Sequence, residues 1–271
     1  MNFKPAPILK NEKQRLIAVE RSAAMYKDAD SLYEIYCHLA KEISNCPVSW
    51  AGLIDDENQY CIASDGLPDE VDKKIPRQET FCQYAINNQV PLIVSNMSKD
   101  LRFKFHPAVK NNLVKFYAAF PIISKDGYVL GTLCVSDNRV RVLSKNKIQL
   151  LKNLAQKISY QLEIQENFRN KNAETIIEVL DKISNKIENL SVNNVKIILK
   201  YFSNQILNEN EKSFLIDNNL CSSKHNELKI TPFGNELKNE LSLNIGILKR
   251  MQNIVNDESA LDNLFNELRS K

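Results

Sequence analysis

Between Lys115 and Arg141 the chain reads KFYAAFPIISKDGYVLGTLCVSDNRVR, two apolar runs separated by Lys125-Asp126-Gly127. An Asp-Gly step between two such runs calls for a tight turn, because glycine adopts the positive φ of the bend without steric cost. The flanking residues are aromatic or β-branched, the types that fit a pleated surface. Lys115–Ser124 and Tyr128–Asp137 are therefore predicted to be two antiparallel strands. Phe116, Tyr117, Phe120, Ile122 and Ile123 are answered by Val129, Leu130, Leu133, Cys134 and Val135. A hairpin covered on one face would alternate apolar with polar. This one is apolar almost throughout, so it is expected at the buried centre of a sheet with helices on its flanks. Gly131 and the small Ala118–Ala119 pair mark close backbone approach rather than packing bulk.

The remaining sequence sets the scale around this hairpin. At 271 residues one large or two modest domains are expected. The formal net charge is +3, too small to point to a polyanion partner for the whole chain. No run of about 18 apolar residues occurs, and the opening MNFKPAPILKNEKQR lacks the apolar core of a signal peptide. No membrane association and a cytoplasmic location are expected. The cysteines at 37, 46, 61, 82, 134 and 221 show no CxxC pair and no metal spacing, so they read as small buried hydrophobes. His38, His106 and His225 share no spacing that would build a metal site.

Taken in order, Asn11–Tyr26 is predicted to be helical, with Leu16, Ile17 and Val19 on its apolar side. Asp30 or Ser31 caps a second helix whose apolar face is Leu32, Ile35, Tyr36, Leu39, Ala40 and Ile43. Ser49–Asp55 and Gln59–Ser64 form a second hairpin. Val71–Gln78 reads as irregular, Phe81–Asn88 as a short helix and Pro91–Val94 as a short strand. Ser95–Leu113 reads as a long polar loop, of the length usually kept for function or mobility. From Ser144 to about Leu190 the pattern is helical in two stripes. Leu151, Leu154, Ile158 and Leu162 form the first. Ile176, Leu180, Ile183, Ile187 and Leu190 form the second, spaced 4, 3, 4, 3 as in an a/d heptad. The polar stretch Gln165–Asn172 separates them as a linker or break. The second stripe is either a dimer-forming coiled-coil seam or one face of a helix packed on its own domain.

Within the first part of the chain the blocks LIDDENQY (53–60), ETFCQYAI (79–86), VPLIVSNMSKDLRF (90–103), HPAV (106–109), KFYAAFPI (115–122) and GTLCVSDNRVRVLS (131–144) occur in an order that resembles a GAF domain of bacterial sensor proteins, from about Glu20 to Glu163. The resemblance implies a central antiparallel sheet, helices on one side and a small-molecule pocket on the other. GAF domains bind cyclic nucleotides, tetrapyrroles, haem or small metabolites, or only dimerise, and the fold does not choose among these. Cys82 and Cys134 fall where members of this group also carry cysteine. Asp100, Arg102 and Phe103 lie on the loop that covers the pocket in this fold, where Arg102 could grip an anionic ligand or pair with Asp100. Phe81, Phe116 and Tyr117 could stack on a flat ligand. The candidate pocket is thus Phe81, Cys82, Asp100, Arg102, Phe103, Phe116, Tyr117 and Cys134, with no catalytic group, no metal and no cofactor named.

After Ser191 the order is helix at Val195–Phe202, helix at Glu209–Asn218, polar loop at Asn219–Asn226, strand at Glu227–Thr231 and a helix opened by Pro232. Thr231 is its N-cap and Phe233, Leu237 and Leu241 share one face. A last helix is read at Glu258–Arg269. This order, with the Ile230-Thr231-Pro232-Phe233-Gly234 element, resembles a winged helix. From Lys171 onward 13 Lys plus Arg stand against 14 Asp plus Glu, whereas a DNA-reading surface is usually basic.

The expected fold is α+β in four segments: an N-terminal helix (1–30), a GAF-type antiparallel sheet flanked by helices (31–163), a long connecting helix (144–190) that overlaps its end, and a small, mainly α, winged-helix-like domain (191–271). The expected function is a non-enzymatic, cytoplasmic sensor that forms a homodimer, binds a small molecule or does both, and relays its state through the connecting helix to a C-terminal unit that holds a protein partner rather than DNA. Two alternatives are a ligand-responsive DNA-binding regulator and a redox enzyme using Cys82 or Cys134.

Overall fold

A computed structural model describes residues 3–22, 31–187, 191–224 and 227–241. The chain divides into two compact units, residues 1–169 and 170–271.

The first unit is built on a six-stranded sheet. In chain order its strands are β1 (Val48–Ile54), β2 (Asn58–Asp65), β3 (Lys74–Pro76), β4 (Leu92–Val94), β5 (Phe116–Ile123) and β6 (Val129–Asp137). They lie in the order β3-β2-β1-β6-β5-β4, with every pairing antiparallel. The predicted hairpin is β5 and β6. Its turn closes through Gly127 N–H donating to Ser124 O at 2.9 Å, with Gly127 at φ 84°. β6 pairs with β1 on one edge and β5 on the other, and every one of its residues is buried.

Strand alternation sorts these side chains into two cores. Phe116, Ala118, Phe120, Leu133 and Val135, with Ala51 and Leu53 of β1, face three helices: α1 (Glu12–Ser22), α2 (Ser31–Ser44) and α5 (Lys145–Ser184). Tyr117, Ala119 and Cys134 face the other way. They are covered by the short helix α3 (Cys82–Ala85), the one-turn helix α4 (Pro107–Lys110) and the chain around them. A bulge opposite Ile122 and Ile123 reverses the parity at the start of β6, so Leu130 enters the helix-side core and Val129 the opposite one.

Several expectations change. The stretch 71–78 is not wholly irregular, since β3 pairs there with β2. Ser95–Leu113 is not an open loop. A 3-10 turn at Met97–Lys99 and α4 punctuate it, and Met97, Phe103 and Val109 anchor it in the core. No break occurs at Gln165–Asn172, and α5 is one 40-residue helix. Nothing in Lys145–Ser184 is Gly or Pro, and long polar side chains favour the helix. On α1 the buried face is Arg15, Ala18, Val19 and Ser22, while Ile17 is 51% exposed. On α2 Tyr33, Cys37 and Ala40 are buried, while Leu32, Ile35 and Leu39 are 39%, 52% and 40% exposed. The apolar stripe on each helix is wider than the face the sheet covers. The predicted extension of α1 to Tyr26 and the Asp30 cap of α2 lie outside the described residues.

Arg15 is the largest fully buried side chain, 1% exposed. Its Nη1 donates to Ile54 O at 2.7 Å and Val129 O at 3.3 Å, and Nη2 donates to Asp55 O at 3.3 Å. Ile54 and Val129 lie just past the last β1–β6 pair, Leu53 with Gly131, so their carbonyls have no ladder partner there and the guanidinium supplies one. Glu12 holds that charge through a bidentate bond, at 3.0 Å and 2.7 Å, and also pairs with Arg77.

The second unit comprises the last turns of α5, α6 (Val192–Phe202), α7 (Glu209–Asp217), a hairpin of β7 (Cys221–Lys224) and β8 (Glu227–Ile230), and α8 (Pro232–Glu240). Asn208 and Glu211 form a reciprocal capping box on α7. Thr231 caps α8 ahead of Pro232, as predicted. The polar loop read at Asn219–Asn226 contains β7, whose residues pair with β8 despite low intrinsic strand preference. The core of this unit holds Val179, Leu180, Ile183, Ile187, Ile198, Phe202, Leu215 and Leu237. Leu190 and the helix read at Glu258–Arg269 lie outside the described residues. Among the described residues no helix is long and apolar enough to cross a membrane.

The close approach of β1 and β6 depends on Gly131. A Cβ at this position would fall 2.0 Å from Gly52 O and 2.7 Å from Leu53 Cα. Both neighbours are backbone, so neither can step aside. Gly131→Ala is expected to cost about 3 kcal/mol, read as a lower urea midpoint with an unchanged slope; a midpoint equal to the parent would show that the strands are not in such contact.

Candidate functional site

The loop-side face of the sheet carries a small polar cluster inside an apolar core. Cys134 is presented by the middle of β6, Tyr117 by β5, and Cys82 by the first turn of α3, which lies over them. The Tyr117 hydroxyl is 3.0 Å from Cys82 Sγ and 3.1 Å from Cys134 Sγ. The sulfurs are 3.5 Å apart, and Thr132 Oγ1 is 2.9 Å from Cys134 Sγ. Thr132 and Cys134 are two apart on β6, so they share a face. All four side chains are buried, each 0% exposed.

An aromatic layer closes over this cluster. The Phe81 ring is 5.3 Å from Tyr117, 5.6 Å from Phe103 and 4.3 Å from His106. Tyr84 packs edge-on against Phe103 at 5.0 Å. Outside that layer lies the N-terminal segment. Phe3 meets His106 at 4.7 Å, Tyr84 Oη donates to Lys4 O at 2.7 Å and Ala6 N–H donates to Gln83 Oε1 at 2.8 Å.

Electrostatics distinguishes the two thiols. Burial alone would raise Cys82, but hydrogen bonds from Cys134, Thr132, Tyr117 and Gln59 outweigh it and bring the thiol down to about 7. Burial pushes Cys134 well up, and the Cys82 sulfur beside it pushes further in that direction. Burial also raises the Tyr117 hydroxyl, which therefore stays a neutral hydrogen-bonding group. With the sulfurs 3.5 Å apart in a buried site, the pair titrates as a unit and holds at most one negative charge.

The predicted pocket residues divide into three groups. Phe81, Cys82, Phe103, Tyr117 and Cys134 come together. Phe116 does not join them, because as the strand neighbour of Tyr117 it points to the opposite, helix-covered face. Asp100 and Arg102 sit on the outer surface, where Arg102 Nη2 and Nε bond the carboxylate at 2.6 Å and 2.9 Å. This ion pair occupies the guanidinium and lowers the Asp100 carboxyl below its ordinary value. The expected open pocket is also filled. The larger grooves lie elsewhere, one lined by Phe120, Pro121, Ile123, Gln156 and Tyr160 and another by Phe3, Ile75, Phe105, His106 and Leu113. Neither is lined by Cys82, Tyr117 or Cys134.

Thr132, Gln59 and Trp50 were not singled out from the sequence. Thr132 was legible by its i, i+2 relation to Cys134. Trp50 and Gln59 reach this face only through the β1–β2–β6 pairing. Gln59 is 2% exposed, and the Trp50 ring lies 6.2 Å from Tyr117. Among the described residues neither Gln59 Oε1 nor Trp50 Nε1 has a hydrogen-bond partner. The heptad residues Leu180, Ile183 and Ile187 are buried in the core of their own unit, so in this structure they are not an exposed seam.

A family model described as GAF domain matches residues 27–163. A cyclic di-GMP phosphodiesterase of Pseudomonas aeruginosa is 28% identical over 151 residues, which is 55% of this chain and 25% of that protein. The chain therefore spans about a quarter of the length of this curated relative. The GAF domain of an Acinetobacter phosphoenolpyruvate-protein phosphotransferase is 18% identical, with a TM-score of 0.44, covering 58% of this chain and 98% of that one. The PixJ GAF domain of Thermosynechococcus elongatus, in its blue-light absorbing form, is 17% identical with a TM-score of 0.44, covering 62% and 96%.

His106 supplies a pH-dependent contact at the edge of the site. Its Nε2–H donates to Glu79 O at 2.8 Å, and its Nδ1 accepts from Ala108 N–H at 3.1 Å. Burial pushes the imidazole below its ordinary value, opposed by the Glu79 carbonyl. The folded state thus binds the proton more weakly than the unfolded chain. The contribution of the neutral ring is complete above about pH 6.5 and is lost as the pH falls through the lower folded value. Ring resonances of His106 should titrate below those of free histidine, with faster exchange of the Ala108 amide in the same window. Titration at or above the free value would contradict this.

Proposed function

Because this chain belongs to the GAF domain family through residues 27–163, and that family has a sensory and signalling role, we propose that it is a cytosolic, non-enzymatic sensor. A small molecule bound on the loop-side face of the sheet biases α5, and α5 passes that bias to the unit at 170–271. The observation that carries this reading is the helix itself. Leu151, Ala155, Ile158 and Leu162 of α5 are packed in the helix-side core of the first unit. Val179, Leu180 and Ile183 of the same unbroken helix are packed in the core of the second. A rotation or shift of α5 alters packing in both cores, the kind of element a ligand can bias between two arrangements.

The ligand reading rests on the buried cluster. Gln59 Oε1 and Trp50 Nε1 are polar atoms on the loop-side face with unmet hydrogen bonds, each costly to leave so. Around them stand hydroxyls, thiols and an amide, and among the described residues no carboxylate or lysine joins the cluster. That set suits binding of an uncharged, planar, hydrogen-bonding molecule better than acid–base turnover. The phosphodiesterase activity named for the Pseudomonas relative is not transferred, because only a quarter of that protein is matched.

The second unit is read as an interaction domain of winged-helix type whose partner is a protein rather than DNA. On α7 Lys212 pairs with Glu209 at 2.7 Å, and Glu211 pairs with Lys200 of α6 at 2.7 Å, so the one lysine of α7 is already matched by a carboxylate. A homodimer is supported by the exposed Ile35 and Leu39 on α2, apolar residues one helical turn apart, in place of the heptad at 176–190.

Native mass spectrometry of the protein purified from its own host tests the ligand. A small molecule released on denaturation, absent from a Gln59→Leu variant, is the expected result; a ligand-free chain in every preparation would remove the sensor reading. For the dimer, an Ile35→Asp/Leu39→Asp variant is expected to halve the mass in light scattering while its circular dichroism matches the parent. An unchanged mass would exclude this face.

A further inference from the structure

The chain has six free cysteines, and their environments are not equivalent. Cys37 donates to Ala63 O at 3.4 Å and burial pushes it up to about 12. Cys61 also donates to Ala63 O, at 3.3 Å. Burial raises Cys46 and Cys221 as well. Among the described residues, Cys82 and Cys134 are the only two cysteines whose sulfurs lie within hydrogen-bonding distance of each other, at 3.5 Å. They come from different layers, Cys82 from the covering helix α3 and Cys134 from the centre of the sheet. Two hydroxyls are aimed at them, Tyr117 at both sulfurs and Thr132 at Cys134. If filling space were the only demand here, apolar side chains would meet it without polar hydrogens to satisfy.

We propose that Cys82 and Cys134 are a reversible redox pair that closes to an intramolecular disulfide on reaction with a hydroperoxide. The covalent S–S distance is about 2.05 Å, so the sulfurs must close by roughly 1.5 Å, a movement of side chains rather than of strands.

The Cys82 thiolate attacks the terminal peroxide oxygen and the O–O bond breaks. Cys82 becomes a sulfenic acid, and the leaving alkoxide (hydroxide, for hydrogen peroxide) takes up the proton Cys82 had lost. The Cys134 sulfur then attacks the Cys82 sulfur. The S–O bond breaks, and the departing hydroxide takes the Cys134 proton to leave as water. Two thiols lose two electrons and two protons, and the hydroperoxide gains both pairs to become an alcohol, or water, plus a second water. Cys82 is the attacking sulfur because it lies in the outer layer, on α3 beneath Phe81 and the N-terminal segment, with the Tyr117 hydroxyl 3.0 Å away. Cys134 lies deeper and resolves.

The bond ties the first turn of α3 to the middle of β6 and removes both thiol hydrogens from the Tyr117–Thr132 network. This inference is independent of any ligand and stands whether or not a small molecule binds.

The test uses the full chain, reduced, exposed briefly to hydrogen peroxide, acid-quenched, alkylated in denaturant and mapped by mass spectrometry. The expected result is complete loss of free thiol at Cys82 and Cys134 together and their recovery as one cross-linked peptide pair, lighter by two hydrogens and restored by dithiothreitol. The single tryptophan, Trp50, reports the same event. Its emission is expected to fall on oxidation and to return on reduction. In a Cys134→Ala variant Cys82 should stop at the sulfenic acid and be trapped by dimedone, whereas Cys82→Ala should leave Cys134 unmodified. The wild-type mapping needs no variant to fold. Both cysteines recovered as free thiols once another cysteine has been oxidised, separate sulfinic acids at the two sites, or a cross-link to any other cysteine would each overturn the proposal.

Discussion

β6 is hydrogen-bonded along both edges and covered on both faces, and the first unit depends on that double burial. A strand in this position must supply two cores at once, and its period of two does so without further instruction. Leu133 and Val135 go to the helices, Thr132 and Cys134 to the opposite face. β1 comes close enough to complete the sheet only because Gly131 faces Gly52 with no side chain between them. The bulge at Leu130 reverses the alternation at the start of the strand, so its first residues, Val129 and Leu130, still find apolar surroundings.

The bulged end leaves backbone carbonyls beyond the ladder, and a charged group satisfies them. Arg15 donates to Ile54, Asp55 and Val129 from inside the protein, and Glu12 neutralises it. Burial works against the Glu12 carboxylate, but Arg15 and Arg77 more than offset this and hold its pKa below the ordinary value. Burying one of these charges without the other would be strongly unfavourable. The N-terminal helix is thus tied to the sheet end by ionic and backbone hydrogen bonds together. The segment before it, through Phe3 and Lys4, covers the aromatic layer over the thiols.

Much of this was legible in the chain. The Asp-Gly turn, the apolar hairpin, the SWAGLID and QYCIAS strands and the Thr231-Pro232 helix start follow from local rules, because turn chemistry, capping and strand preference act over a few residues. The GAF likeness rested on blocks spread over half the chain, and the family match at 27–163 agrees with it. Legibility failed where a local pattern was compatible with more than one partner. The apolar stripes of α1 and α2 were wider than the faces the sheet covers. The heptad at 176–190 reads the same whether it meets a second chain or its own domain, and here Leu180, Ile183 and Ile187 meet their own. Phe116 and Tyr117 are equally aromatic, and only the pleat assigns them to opposite sides.

The sequence by itself determined the elements: which stretches bend, extend or coil, and where glycine or proline must stand. It also placed cysteine at 82 and at 134, half a hundred residues apart, and only the family resemblance put both in one candidate pocket. Only the tertiary structure decided that α3 lies across β6, that these two sulfurs meet beneath Phe81, and that Tyr117 and Thr132 direct their hydroxyls to the same point. The physical reason is one of range. Backbone conformation answers to neighbours a few residues away, whereas a cluster drawn from β5, β6 and α3 exists only after sheet register and helix packing have placed its members together.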